Sequence, residues 1–225
     1  MKLVGICGDI GSGKDTVADW LARHYGFKTV SFADSLKTWV LSLLQPLGVE
    51  HRHVFGANPD TKQADQAEPL TMLPNRFACQ PGTKLVHWTG RSLLEYLGTE
   101  VARGIDPDVW IKHVESKIRY KMTQTRQFES ELRFVIADLR FENEFEMVKR
   151  LGGEVWRTRL LVEHADDCAA IANWRNACTC GKIRATGHES DMAWRFLPYD
   201  RQLAAPKPGV DMLRSLAEAN LREMR

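Results

Sequence analysis

The chain has 225 residues, 44% of them hydrophobic and 27% charged, and 31 basic side chains against 29 acidic ones leave a net charge of +2. That length suits one sizeable core, or one core with an insertion, and so small an excess of charge argues against a dedicated nucleic-acid-polymer or membrane-surface binder. There is no apolar run near the roughly 18 residues a membrane-spanning helix needs, the apolar start Met1–Cys7 is too short for a signal peptide, and five cysteines, an odd number, do not suggest a disulfide framework; a cytoplasmic protein is expected.

In chain order, residues 2–7 read as a buried strand and 8–13 as a glycine-rich turn. Residues 14–25 read as a helix with Val17, Leu21, Ala22 and Tyr25 on its apolar stripe. A short strand over 28–32 and a helix over 34–45 follow, the latter ending near Pro46 and Gly48. This strand–helix–strand–helix order predicts a parallel sheet. Residues 50–88, with Pro59, Pro69, Pro74, Pro81, Gly56 and Gly82, read as irregular. Helices are expected at 90–103 and 108–124, a strand from Leu132 to a terminal carboxylate at Asp138, a helix at 141–151 stopped by Gly152-Gly153, and a strand at 154–159. Residues 160–190 break the alternation. A strand near 199–204 and a helix over 210–223, with Val210, Leu213, Ala217, Leu221 and Met224 on its apolar face, complete the chain.

The strongest motif is Gly8-Asp9-Ile10-Gly11-Ser12-Gly13-Lys14-Asp15-Thr16, set between a strand and a helix. Up to the lysine it matches a phosphate-binding loop. Glycines let consecutive backbone N–H groups turn toward an anion, and the helix N-terminus adds its positive end. Lys14 can then bridge the outer phosphates as a point charge. The hydroxyl usual directly after the lysine is replaced by Asp15 and comes one place later, at Thr16, which puts direct hydroxyl ligation of magnesium in question.

The string Gly-Ser-Gly-Lys-Asp-Thr-Val-Ala resembles the phage-type deoxynucleoside monophosphate kinases, a branch of the P-loop nucleoside monophosphate kinases. Other blocks, in family order, extend the resemblance over nearly the whole chain: Ser31–Lys37 after the second strand, Thr89–Arg103 with Trp110 as the substrate helix, Val135–Glu144, and His188-Glu189-Ser190-Asp191. The resemblance implies a five-stranded parallel sheet flanked by helices, with a substrate-binding insertion and a lid. On that basis the core is expected at about 1–48, 130–159 and 191–225, the substrate-binding region at 49–129 and the lid at 160–190. It also implies ATP and Mg2+ as cofactors and small-molecule nucleotides as partners, in the host cytoplasm for a phage-borne gene; assembly into a homodimer is left open.

The residues support specific assignments. Gly8, Gly11, Ser12, Gly13, Lys14, Asp15 and Thr16 would hold ATP. Arg91, Glu95, Thr99 and Arg103 are spaced by four along one predicted helix and would form a polar stripe opposite Leu93, Leu94, Leu97 and Val101. Two guanidiniums suit a dianionic monophosphate, because arginine binds phosphate bidentately; the plain alternative is a solvated face with an Arg–Glu pair. Related kinases read the base with a glutamine near this position. Glu95 only accepts hydrogen bonds, so it would favour a donating edge such as guanine N1–H/N2–H or cytosine N4–H, or it would instead orient Arg91. Asp34 and Lys37 are substrate-site candidates, Asp34 also being a candidate helix cap, and Trp110 joins them through the resemblance. Asp138 ends its strand as a magnesium-organising carboxylate does, Arg140 could reach a phosphate, and Arg157, with Arg159, stands at the base of the expected lid. Lys14, Asp138, Arg140 and Arg157 are thus the catalytic candidates.

Cys168, Cys178, Cys180 and His188 cluster in 160–190. They could bind zinc, but Cys-x9-Cys-x-Cys lacks the familiar paired spacing, and reduced, unligated cysteines are the plainer reading. Three functions fit the motifs: a nucleoside monophosphate kinase, read first; a small-molecule kinase like dephospho-coenzyme A kinase; and a P-loop switch or motor ATPase, for which no partner-facing switch element stands out.

Overall fold

The computed structural model describes residues 1–58, 61–76, 86–124, 132–161, 193–206 and 209–224. In chain order its elements are β1 (Lys2–Gly8), α1 (Lys14–Tyr25), β2 (Lys28–Val30), α2 (Phe32–Leu44), α3 (His51–Phe55), α4 (Lys62–Ala67), β3 (Pro69–Pro74), β4 (His87–Thr89), α5 (Gly90–Glu95), a π-helical turn (Tyr96–Ala102), α6 (Arg103–Ile105), α7 (Val109–Thr123), β5 (Arg133–Ile136), α8 (Glu142–Arg150), β6 (Glu154–Leu161), a 3-10 turn (Ala193–Phe196), β7 (Arg201–Pro206) and α9 (Val210–Glu223). They fall into two compact units, Met1–Phe32 with Ile111–Arg225, and Ala33–Trp110.

The first unit is built on a five-stranded sheet in the order β2-β5-β1-β6-β7, every neighbouring pair parallel. A parallel sheet needs helices on both faces, so its strands read as continuous apolar runs without alternation. β1 follows that rule: Leu3, Val4, Ile6 and Cys7 are all fully buried, as are Phe134, Val135 and Ile136 of β5. On one face Val4, Ile6, Val135, Trp156, Leu203 and Ala205 pack with Val17, Ala18 and Leu21 of α1 and with Leu213, Ala217 and Leu221 of α9. On the other face α8 lays Val148 over Gly5 of β1. The expected five-stranded parallel sheet flanked by helices is therefore present, with β1 at its centre.

The second unit departs from the sequence reading in two places. Residues 50–88, expected to be irregular, contain α3, α4 and the antiparallel pair β3–β4. These elements are three to six residues long, too short for a periodic pattern to show. The helix expected over 90–103 is not continuous: α5 gives way to the π-helical turn, which takes Tyr96 through Ala102 before α6 begins. In addition, β6 runs to Leu161, so residues 160 and 161 belong to the sheet. The remainder of the proposed lid, with Cys168, Cys178, Cys180 and His188, lies outside the described residues.

Candidate active site

The glycine-rich loop sits where β1, the central strand, hands over to α1. At its start, Gly8 pairs with Thr158 of β6, and the backbones lie so close that a Cβ on Gly8 would come within 2.3 Å of the Thr158 carbonyl oxygen. At its end, Gly13 has φ 89° in the left-handed region that favours glycine, and a Cβ there would meet Leu213 Cδ1 at 2.5 Å. Between them the Asp9 carbonyl is the hub of the loop. It accepts from Ser12 N (3.2 Å), Ser12 Oγ (2.8 Å) and Lys14 Nζ (2.6 Å). The Ser12 and Thr158 hydroxyls lie 2.7 Å apart, and Thr158 Oγ1 donates to the Cys7 carbonyl at 3.2 Å, tying the loop to β6.

Lys14 opens α1 and curls back over the loop, donating to the Gly8 carbonyl at 2.8 Å as well. Burial of its ammonium, and then the positive charge of Arg140, push its pKa down to about 8, against the pull of Asp15, Asp9 and Cys7. An ammonium so crowded gains most from an arriving anion. Asp15 is exposed on the first turn of α1 and Thr16 is half-buried.

Asp138 follows β5, beside β1. Its carboxylate accepts from Ser31 Oγ (2.7 Å) and from Phe32 N (3.2 Å), which fixes its orientation. Arg140 follows two residues on, its backbone held by the buried Glu144, whose Oε2 accepts from Arg140 N (2.7 Å) and Phe141 N (3.1 Å). The loop, Lys14 and Arg140 are thus brought together. Arg157 is placed differently. Its guanidinium is buried, donates to the Leu197 carbonyl at 2.6 Å and stacks 4.0 Å from the centre of the Tyr199 ring, with Trp194 at 5.6 Å.

Among the described residues of the site, Thr158 and Arg195 escaped the sequence reading. Arg195, in the 3-10 turn Ala193–Phe196, donates to Asp9 Oδ1 at 2.6 Å, and both side chains are buried, 2% and 8% exposed. A carboxylate inside an anion-binding loop needs a counter-charge, and that need was the available signal; the partner's position 186 residues away was not.

In the second unit, Arg91 Nε donates to Glu95 Oε1 at 2.9 Å, an i,i+4 Arg–Glu pair. Arg103 donates to the Pro107 carbonyl at 3.2 Å. Trp110 is buried and its indole donates to the Gly98 carbonyl at 3.0 Å, pinning the π-helical turn. Lys37 lies over the Phe55 ring at 5.6 Å. Asp34 is exposed in the first turn of α2, which starts at Phe32, so Asp34 is not the cap of that helix.

The residues fit the cofactors the motif implies. Backbone donors at a helix N-terminus with a lysine suit a polyphosphate. The oriented Asp138 carboxylate and the Thr16 hydroxyl are the hard oxygen donors Mg2+ takes alongside phosphate oxygens and water. Among the described residues no group of three or more His, Cys, Asp and Glu side chains forms a protein-only metal site, and no helix is long and apolar enough to cross a membrane.

No family model matches the chain. A protein of Acanthamoeba polyphaga mimivirus named "Putative deoxynucleotide monophosphate kinase" is 29% identical over 153 residues, which cover 68% of this chain and 71% of the viral protein. A dephospho-CoA kinase from Campylobacter jejuni aligns at 17% identity with a TM-score of 0.45, and a Thermus thermophilus protein at 17% with 0.46; each alignment covers 99% of this chain and 97% of the other.

Proposed function

We propose that this chain is an ATP-dependent kinase that phosphorylates (deoxy)nucleoside 5′-monophosphates to diphosphates. The observation that carries the reading is the loop Gly8–Lys14 at the carboxyl end of the central strand, with Lys14 and Arg140 converging on it. The similarity to a viral protein named as a deoxynucleotide monophosphate kinase supports the acceptor class, as do the motif blocks along the chain.

Phosphoryl transfer needs little covalent help from the protein and is mostly positioning plus charge neutralisation. Lys14 exchanges its bonds to the Gly8 and Asp9 carbonyls for phosphate oxygens. Arg140 adds a second cation where charge builds on the transferred group. Mg2+, held through Asp138 with Thr16 near it, would supply further charge neutralisation on the phosphates. Arg91, ordered by Glu95, and Arg103 take the acceptor's phosphate; Asp34 and Lys37 complete that side, with Trp110 holding the turn between the arginines. Arg157, beside Thr158 on β6, is held by its packing on Tyr199 and Trp194.

The test is a panel of all natural ribo- and deoxyribonucleoside monophosphates, with dephospho-coenzyme A, incubated with ATP and Mg2+. Diphosphate formed from one or more monophosphates, with any deoxy preference read from the same panel, is the expected result. Phosphorylation of dephospho-coenzyme A alone, or ATP hydrolysis with no phosphorylated acceptor, would overturn it.

A further inference from the structure

We propose that Arg195 is a positioning residue for the phosphate-binding loop: by neutralising Asp9 it converts a loop carrying a buried negative charge into one that accepts a polyphosphate. The inference rests on the kinase reading only as far as the loop binds a nucleoside polyphosphate.

Asp9 is an awkward residue for its place. Its carbonyl is the hub that receives Ser12 N, Ser12 Oγ and Lys14 Nζ, so its backbone cannot leave the loop. Its carboxylate is 8% exposed and lies too deep for water to screen. A buried carboxylate beside an anion site repels the ligand across a poorly screened medium. The structure gives it one buried guanidinium, 2% exposed, at 2.6 Å. That guanidinium is itself held in place, 5.5 Å from the centre of the Trp194 ring, whose indole also lies against Arg157 at 5.6 Å. The pair therefore has two effects. It fixes the Asp9 side chain, and hence the hub carbonyl, and it removes one unit of negative charge from the floor of the cradle.

These effects separate by sign. If the pair is only a structural clamp, breaking it from either side loosens the loop and weakens nucleotide binding in both cases. If charge neutralisation is its role, Arg195→Met removes the carboxylate's buried guanidinium and leaves it competing with the phosphates for Lys14, whereas Asp9→Asn keeps the carbonyl hub and the shape and leaves a net positive charge.

The experiment measures ADP affinity by titration calorimetry on the full chain, for wild type, Asp9→Asn, Arg195→Met and the double variant, with thermal melts of each. The expected order is Arg195→Met at least tenfold weaker than wild type, the double variant restored to within threefold, and Asp9→Asn at least as tight as wild type. Any other order overturns the inference. If Arg195→Met does not fold, Asp9→Asn decides alone: affinity equal to or tighter than wild type supports the inference, and weaker affinity overturns it. Wild type that binds neither ADP nor ATP overturns the nucleotide reading and the inference together, whereas wild type that binds with the wrong order among variants overturns the inference alone.

Discussion

The two units hold the charged residues of the candidate site in different ways. In the first, the groups around the loop are bonded into the fold: Ser12 and Thr158 are buried with their hydroxyls 2.7 Å apart, Asp9 is buried against Arg195, and the half-buried Asp138 accepts from Phe32 N. In the second, Arg91 and Glu95 form an i,i+4 pair with side chains 30% and 21% exposed, and Asp34 is open to solvent. Buried, hydrogen-bonded groups are rigid and costly to alter. Half-exposed pairs contribute little to stability and can be exchanged at small cost to the fold. On the proposed reading, changes around the phosphate-binding loop should disturb stability and chemistry together, while changes at the proposed acceptor-side residues should alter recognition nearly independently of folding.

The largest effect expected from this contrast is on Lys14. Lys14→Ala should lower turnover by on the order of 10²–10³, the scale for losing one preorganised donor, with far-UV circular dichroism unchanged. Retention of more than about a tenth of wild-type turnover by the folded variant would contradict the assignment.

Next comes the loop backbone. Gly13→Ala places a Cβ on a left-handed residue and against Leu213. It should cost roughly 1–3 kcal/mol in urea-induced unfolding and weaken nucleotide binding as well. A variant as stable as wild type would mean the loop is softer than its contacts suggest.

On the acceptor side the two quantities should part. Arg91→Ala should raise KM for the monophosphate about tenfold, one bidentate contact's worth, and leave KM for ATP and the melting temperature nearly unchanged. Lysine at this position should rescue only partly, because the planar fork is lost. Equal changes in both KM values would erase the division between the units.

The smallest effect is in pH. With its pKa lowered to about 8 from the usual 10.5, Lys14 is partly neutral above pH 8 in the free protein. A polyphosphate favours the charged form, so binding takes up a proton, and affinity should fall about fivefold between pH 8 and 9. The stability contribution has the opposite sense. The folded state disfavours the ammonium, a cost present below pH 8 and relieved as pH rises from 8 toward 10.5. Calorimetry of ADP binding at pH 7, 8 and 9, in buffers of different ionisation enthalpy, checks the first statement; an affinity flat over that range refutes it.

What the sequence made legible follows from distance along the chain. The loop and the strands β1 and β5 are local patterns, glycines at fixed offsets and unbroken apolar runs, and both are where the motif placed them. The Arg195–Asp9 pair joins residues 186 apart, and no local pattern encodes it. The short elements of 50–88 lie below the length at which periodicity can be recognised. Asp34 illustrates a boundary effect: reading the helix from 34 makes it a cap, and starting the helix two residues earlier removes that role.

The π-helical turn at Tyr96–Ala102 has a consequence for phase. On a regular helix of 3.6 residues per turn, each step of four advances about 40° around the axis, so Arg91 and Arg103, three such steps apart, would end roughly a third of a circumference out of line. A turn closed by i→i+5 bonds holds more residues, and the drift slows. A wound spring with one surplus coil behaves the same way: removing one residue between 96 and 102 would let the segment relax to ordinary α-helix. Six α-helical residues turn through nearly the same angle as seven in the wider turn, so Arg103 would keep its facing relative to Arg91 after the deletion.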